Sequence, residues 1–302
     1  MTAPLFEAVP NFSEGRDRQK ISRILRAVRS VSGVRILDLH SDADHNRSVI
    51  TMAGREGPLV EAAVTLARAC AAEIDLSAQP GVHPRMGSLD VLPFVPLQGA
   101  TLEDAVRLAR KAGERIGALG FAVYLYESAA TASHRRNLAE VRRGGYEGVA
   151  ERISDPDWAP DYSPAALSPQ LGAVAVGARP FLVAFNAYLD TDDVEIARKV
   201  AGKVRERDGG LPGLKALGLE VAGKAQVSMN LTDLEKTSLP EALEAVRREA
   251  AKHGASVEST ELVGLLPMEA LVQIARHYLA LPDLERGHVL EANLWSERRG
   301  GS

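Results

Sequence analysis

Among the side chains able to move a proton, His83 has the most unusual mounting, within Gln79-Pro-Gly-Val-His83-Pro-Arg-Met-Gly-Ser-Leu-Asp90. The proline that follows pushes the His83 backbone out of the helical region. Pro80 fixes φ on the near side of the turn, and Gly81 and Gly87 admit positive φ or the close approach of another backbone or a ligand. An imidazole on such a stiff, non-repetitive support suits general acid–base work. The plain alternative is a His-Pro turn whose ring caps a loop carbonyl. Arg85 and Asp90 in the same stretch favour the chemical role.

Three further groupings bear chemistry. Asp38-Leu-His40-Ser-Asp42-Ala-Asp44-His45-Asn-Arg47 mixes acids with imidazoles, the residue types that hold metals. Acid-rich strand connections are also common as solvated turns, and Arg47 sets a cation beside any such metal. The Pro-rich stretch 155–172 is a long loop, of the kind that serves as lid, binding loop or linker. Trp158 and Tyr162 within it favour binding, since linkers seldom carry large aromatics. Glu261, in Ser259-Thr-Glu261-Leu-Val-Gly264, ends a strand before a helix start, where a carboxylate serves either a cleft or a surface ion pair. Gly-rich phosphate cradles, a G-x-S-x-G elbow and zinc patterns of Cys and His are missing from the sequence.

The elements that position these groups come from an ordinary globular composition. The 302 residues are 45% hydrophobic and 25% charged, with a net charge of −4 and a pI near 6.0. That balance argues against a nucleic-acid partner, which asks for a basic excess. Apolar runs stay short of a membrane span, and Met1-Thr-Ala-Pro-Leu lacks the build of a secretion signal. Cys70 is the only cysteine, so no internal disulfide is possible and a cytoplasmic setting is expected. It falls on the stripe Leu59-Val60-Ala63-Leu66-Ala67-Cys70-Ile74, which makes it a core residue.

In chain order, residues 5–9 read as a strand, and Ile21, Ile24, Leu25 and Val28 mark a helix. Residues 34–39 and 47–53 read as a hairpin, and 58–75 as a helix. Residues 89–95 follow as a strand that Pro93 should confine to an edge or make irregular. Thr101-Leu-Glu-Asp104 opens a further helix as a capping box, and 121–126 is a strand. Regular patterning weakens from Gly144 to Pro180. It resumes with strand 181–185, helix 192–206, strands 214–221 and 226–231, a helix capped by Ser238, strand 256–262 and helix 268–281. Strand-helix-strand-strand-helix-strand is the split βαβ, or ferredoxin-like, unit, and the first half opens with the same order. Phe6-Glu-Ala-Val-Pro-Asn11 echoes Phe181-Leu-Val-Ala-Phe-Asn186, with each Asn either a turn former or a ligand contact. The expected fold is α+β: two ferredoxin-like sandwiches, residues 1–180 and 181–302, with a ligand cleft or tunnel between them.

Several stretches in this order carry a family resemblance: Val9-Pro-Asn-Phe-Ser-Glu-Gly15, Asp44-His-Asn-Arg-Ser48, Gly81-Val-His-Pro-Arg-Met-Gly87, Tyr124-Leu-Tyr126, Trp158-Ala-Pro-Asp161, Val176-Gly-Ala-Arg179, Gln226-Val-Ser-Met-Asn230 and Leu262-Val-Gly264. Across essentially the whole chain the sequence resembles the formiminotransferases, in the monofunctional, bacterial-type form. The resemblance implies two ferredoxin-like subdomains, usually in a homodimer. It also implies transfer of a formimino group from N-formimino-L-glutamate to tetrahydrofolate in histidine breakdown, with no metal.

On this resemblance the catalytic histidine falls on His83. The folate-binding stretch falls on Ser163, Pro164, Ala165, Ala166, Leu167, Ser168, Pro169, Gln170, Leu171 and Gly172. His40 stands where some relatives carry an acid, and Ser163 where some carry glycine. The formimino group is an amidinium, so carboxylates should orient it, with Asp42 and Glu261 as candidates. The carboxylates of the glutamate portion call for guanidinium or ammonium groups: Arg85, Arg47, Arg179 and Lys215, with Asn11 as a further contact. The rivals are formyl transfer from N-formylglutamate, which would need oxyanion donors, a silent folate-binding homologue, and a metal-dependent hydrolase on Asp38, His40, Asp42 and His45.

Overall fold

The computed structural model describes residues 3–43, 46–78, 85–162 and 166–297. The chain divides into two compact units, Met1–Pro180 and Phe181–Ser302.

In the first unit, β1 (Phe6–Ala8) and β2 (Asn11–Phe12) form one strand broken at Val9-Pro10. There follow α1 (Arg18–Arg29), β3 (Val34–Asp42), β4 (Arg47–Gly54), α2 (Glu56–Glu73) and β5 (Leu89–Pro96). Asp17 caps α1 by accepting from the Gln19 and Lys20 N–H groups, and Ile21, Ile24, Leu25 and Val28 bury its apolar face. The broken strand lies between β4 and β5, and β3 pairs with the far side of β4. All of these pairs are antiparallel, which is the ferredoxin-like arrangement. The core lies between one sheet face and the helices, and includes Phe6, Ala8, Phe12, Ile50, Met52 and Cys70. Cys70 is fully buried, and burial pushes its thiol pKa far up.

Within the same unit the sheet then grows beyond the ferredoxin-like arrangement. α3 (Leu102–Gly117) starts on the expected Thr101–Asp104 capping box, β6 is Ala122–Glu127, and the short α4 (Leu138–Val141) and α5 (Gly145–Arg152) precede β7 (Ala173–Ala178). β7 enters between β5 and β6, parallel to both. Two expectations are corrected here. The weakly patterned stretch from Gly144 to Pro180 contains a helix and an interior strand. Ala173-Val-Ala-Val-Gly-Ala178 is buried on both faces, so it shows no polar alternation. Pro93 sits on an interior strand, not an edge. Its carbonyl accepts from Val9 N–H at 3.2 Å, so its missing N–H falls where β1 gives way to β2 and no ladder bond is lost.

The second unit runs β8 (Val183–Leu189), α6 (Val194–Val204), β9 (Leu214–Val221), β10 (Lys224–Leu231), α7 (Leu239–Ala251) and β11 (Val257–Val263). The strand order β11-β8-β10-β9 repeats the ferredoxin-like arrangement. Ala222 and Gly223, with φ of 51° and 75°, close the β9–β10 hairpin, and Ser238 with Glu241 forms the expected capping box. Helices α8 (Met268–Leu279) and α9 (Leu290–Glu297) follow. Among the described residues no helix is long and apolar enough to cross a membrane.

Candidate active site

The motif Asn11-Phe-Ser-Glu-Gly15 supports two loops. Ser13 donates from Oγ to the Gly87 carbonyl at 2.7 Å, and its N–H reaches the Ser88 carbonyl at 2.9 Å. Glu14 is spent on local structure: one carboxylate oxygen accepts the N–H groups of Arg16 and Asp17, both at 2.9 Å, at the entry to α1. A Cβ on Gly15 would lie 2.0 Å from the Asp42 carbonyl, so only glycine lets this turn touch the β3–β4 connection. Gly15 N–H is held by Asn46 Oδ1 at 2.9 Å.

His83 itself, with Gln79 to Pro84, lies outside the described residues, as do Asp44, His45, Ser163, Pro164 and Ala165. The flanks of both motifs are described, and they meet. Gly87 and Gly172 form an antiparallel bridge. Side chains are barred there: a Cβ on Gly87 would meet the Ala173 carbonyl at 2.0 Å, and one on Gly172 the Met86 carbonyl at 2.3 Å. Residues 168–172 form a turn, with Gly172 N–H on the Ser168 carbonyl at 2.8 Å and Leu171 N–H on Ser168 Oγ at 3.2 Å. Leu76 N–H bonds to the Gln170 carbonyl (3.0 Å), Ser88 N–H to Leu171 (2.9 Å) and Ala173 N–H to Met86 (2.7 Å). Both ends of the histidine stretch are therefore fixed to the C-terminal part of the 163–172 stretch. Within that part Ala166, Pro169 and Gln170 are exposed, Leu167 and Leu171 pack on the unit's cores, and Gln170 Nε2 also caps the Ala71 carbonyl at 3.2 Å.

Charge gathers at the start of β5. Asp90 occupies a bulge opposite β2. It accepts the Met86 N–H at 2.8 Å and pairs with Arg142 at 2.6 Å, with side-chain exposures of 4% and 16%. Arg47 is close enough to feel Asp90, Arg142 and Asp42. Burial lowers its pKa and Arg142 adds to that, while the two carboxylates oppose it. Asp42 is its cross-strand partner on β3. Arg85 is half-buried, donates no side-chain hydrogen bond and makes no ion pair among the described residues, and its Nε is buried without a partner. Its backbone carbonyl is held by Tyr146 N–H at 2.8 Å, which fixes the root of that side chain.

Cross-strand partners share a face, and one face collects most of these groups. Asn11 stands beside Val49 and Val91, and Glu7 beside Ala53 and Val95. Tyr124 aligns with Ala175, and Tyr126 with Gly177. Asn11 Nδ2 donates to the Val9 carbonyl at 3.0 Å, and its buried Oδ1 accepts no hydrogen bond among the described residues. Burial raises Tyr126 to about 12, against the pull of Arg179, which hydrogen-bonds it. Arg179 also donates to the Pro180 carbonyl at 3.1 Å.

The aromatics that spoke for a binding loop are engaged in packing. Arg152 lies 4.4 Å over the Trp158 ring, with His134 4.6 Å from the same ring. Tyr162 packs against Gly113 and Gly117 of α3. Asp161 holds the loop down, accepting from Leu125 N–H at 2.7 Å and from buried Arg135 at 3.1 Å. Glu7, Arg142 and Arg135 were not singled out from the sequence, since each reads as a surface charge until the fold packs around it.

Glu261 and Lys215 belong to the second unit, on the sheet face away from α6 and α7. Glu261 accepts from Asn186 Nδ2 at 3.1 Å and Tyr188 hydroxyl at 3.2 Å. Lys215 is exposed opposite Asn230. Asn186 is thus a partner to a carboxylate, not a turn former. Asp38, His40 and Asp42 alternate along β3, and among the described residues no group of three His, Cys, Asp or Glu gathers to hold a metal.

The comparisons with known proteins agree across the chain. Residues 5–179 match the family model "Formiminotransferase domain, N-terminal subdomain", and residues 184–291 match "Formiminotransferase domain". A Streptococcus pyogenes protein named glutamate formimidoyltransferase is 42% identical, covering 97% of this chain and 99% of its own. One of the same name from Thermoplasma acidophilum is 45% identical, covering 96% and 97%. The formimidoyltransferase-cyclodeaminase of Sus scrofa is 42% identical over 91% of this chain and 52% of its own.

Proposed function

The chain belongs to the formiminotransferase family, and from that premise we propose that it moves the formimino group of N-formimino-L-glutamate onto N5 of tetrahydrofolate, releasing L-glutamate. Residues 1–180 and 181–302 act as the N- and C-terminal formiminotransferase subdomains of a cytoplasmic homodimer. The names of the near full-length relatives favour a formimino over a formyl donor.

N5 attacks the formimino carbon, and the tetrahedral adduct collapses by expelling the glutamate nitrogen. N5 must lose a proton and the departing nitrogen must gain one. An imidazole changes charge in the physiological range and serves both steps in turn. His83 takes that role. Asp42 and Glu261 orient the amidinium, and the 163–172 stretch receives the folate. Arg85 takes a carboxylate of the glutamate portion, assisted by Arg47, Lys215 and Asn11.

The observation that carries this reading is the Arg85 guanidinium: half-buried, rooted by Tyr146, and without an ionic partner among the described residues, two residues from His83 and two from the Gly87–Gly172 bridge. Such a group is suited to an incoming carboxylate. Arg85→Ala should raise KM for formiminoglutamate about tenfold or more while changing kcat less, and steady-state kinetics at two ionic strengths would show it. An unchanged KM removes Arg85 from the site. The reading as a whole is tested by incubating the protein with tetrahydrofolate and formiminoglutamate and following the 5-formimino product; absence of product refutes it.

A further inference from the structure

Glu7 is the middle residue of β1. Phe6 and Ala8 on either side enter the core, so Glu7 stands on the face away from α1–α3, between Ala53 of β4 and Val95 of β5. The residue is 5% exposed, and among the described residues nothing hydrogen-bonds its carboxyl. The cation that acts on it is Arg179, whose hydrogen bonds go to Tyr126 and the Pro180 carbonyl. A carboxylate removed from water and given no donors is costly to keep. Such a group earns its place where a ligand brings the donors.

The surroundings say which donors fit. A carboxylate accepts two parallel N–H bonds in one plane. Arg179 already supplies a positive charge nearby, its pull on Glu7 outweighed by burial, so a neutral N–H pair suits the carboxylate better than a second cation, which Arg179 would repel. In the reaction proposed above, the formimino group is cationic and the glutamate portion anionic. The aminopyrimidinone ring of the folate is the part that presents adjacent neutral N–H donors along one planar edge.

We propose that Glu7 accepts the amino and ring N–H donors of the folate's pyrimidinone edge, with Ala53 and Val95 flanking the ring. Arg179 is then the nearby cation that favours the Glu7 carboxylate against the larger opposing effect of burial, not a reader of substrate carboxylates, and this revises its sequence-based role. The assignment rests on the folate reading and specifies it.

Calorimetric titration with 5-formyltetrahydrofolate, and separately with p-aminobenzoylglutamate, which lacks the pterin, tests the assignment. Glu7→Gln should weaken the first by roughly 10–100-fold and leave the second within about twofold of the parent. The variant should melt no lower than the parent at neutral pH, because a neutral amide replaces a charge that burial disfavours. Glu7→Asp, which keeps the charge at shorter reach, should fall between the two. Equal affinity for 5-formyltetrahydrofolate in parent and Glu7→Gln overturns the assignment, as does a parallel loss for both ligands. A raised KM for formiminoglutamate with folate affinity intact also overturns it, giving the carboxyl to the amidinium. A parent protein that binds neither ligand refutes the folate reading itself.

Discussion

His83→Ala is expected to lower kcat by about 10²–10⁴-fold, the usual contribution of a positioned acid–base group, with folate affinity nearly unchanged. The flanks explain the separation. The described residues on either side of the His83 segment make backbone bonds at Leu76, Met86 and Ser88, all with residues 170–173. None of these involves an imidazole, so removing the ring leaves the support and the adjacent 168–172 turn intact. Single-turnover rates with saturating formiminoglutamate, set beside a binding isotherm for a reduced folate, measure both quantities. Full activity in the variant would end the proposed role. A parallel collapse of binding would make His83 a structural residue of the turn.

The second large effect concerns stability. Asp90→Asn should destabilise the protein by about 3–5 kcal/mol, because it removes the anion of a buried pair and leaves the cation behind. Arg142, paired to it at 2.6 Å, is the cation that loses this carboxylate. Arg47 shares the same electrostatic neighbourhood, so two guanidiniums would face each other with one carboxylate fewer. The Met86 N–H would lose a charged acceptor in the same step. At about 2–4 °C per kcal/mol for a chain region of this size, the midpoint should fall by roughly 10 °C. Adding Arg142→Met should recover part of that loss, since an apolar replacement removes the cation that Asp90 balanced. A thermal melt of the single and double variants decides it. An unchanged midpoint in Asp90→Asn would mean that the pair is solvated.

Much of this architecture was legible where local chemistry and tertiary context agree. α1 could be read from four apolar residues at helical spacing, and the Thr101 and Ser238 starts from their capping boxes. Both ferredoxin-like units followed from the order of such elements. β7 was illegible because a strand covered on both faces has no polar alternation, and its alanines and glycine give little hydrophobic contrast. Pro93 misled because its tolerance depends on a break in a different strand, at Val9-Pro10. In the site, the histidine stretch announced itself through its glycines and prolines. Gly87 and Gly172 carried the pairing of two distant motifs, which cannot be read from either motif alone. Glu7 shows the limit most plainly: in Phe6-Glu7-Ala8 the acid points away from the core, which in sequence means solvent, and only the finished structure reveals that the residue is 5% exposed.

The burial of Cys70 has a practical consequence. As the sole thiol in the chain, with no exposed surface and its ionisation suppressed, it is silent toward maleimides and disulfide reagents while the helix carrying it stays packed. A cysteine introduced at a chosen surface position would therefore be the single labelling handle on the native protein, with no need to delete the natural one. Left unmodified, the same sulfur becomes a built-in clock: its rate of capture by a thiol reagent reports how often the first unit opens.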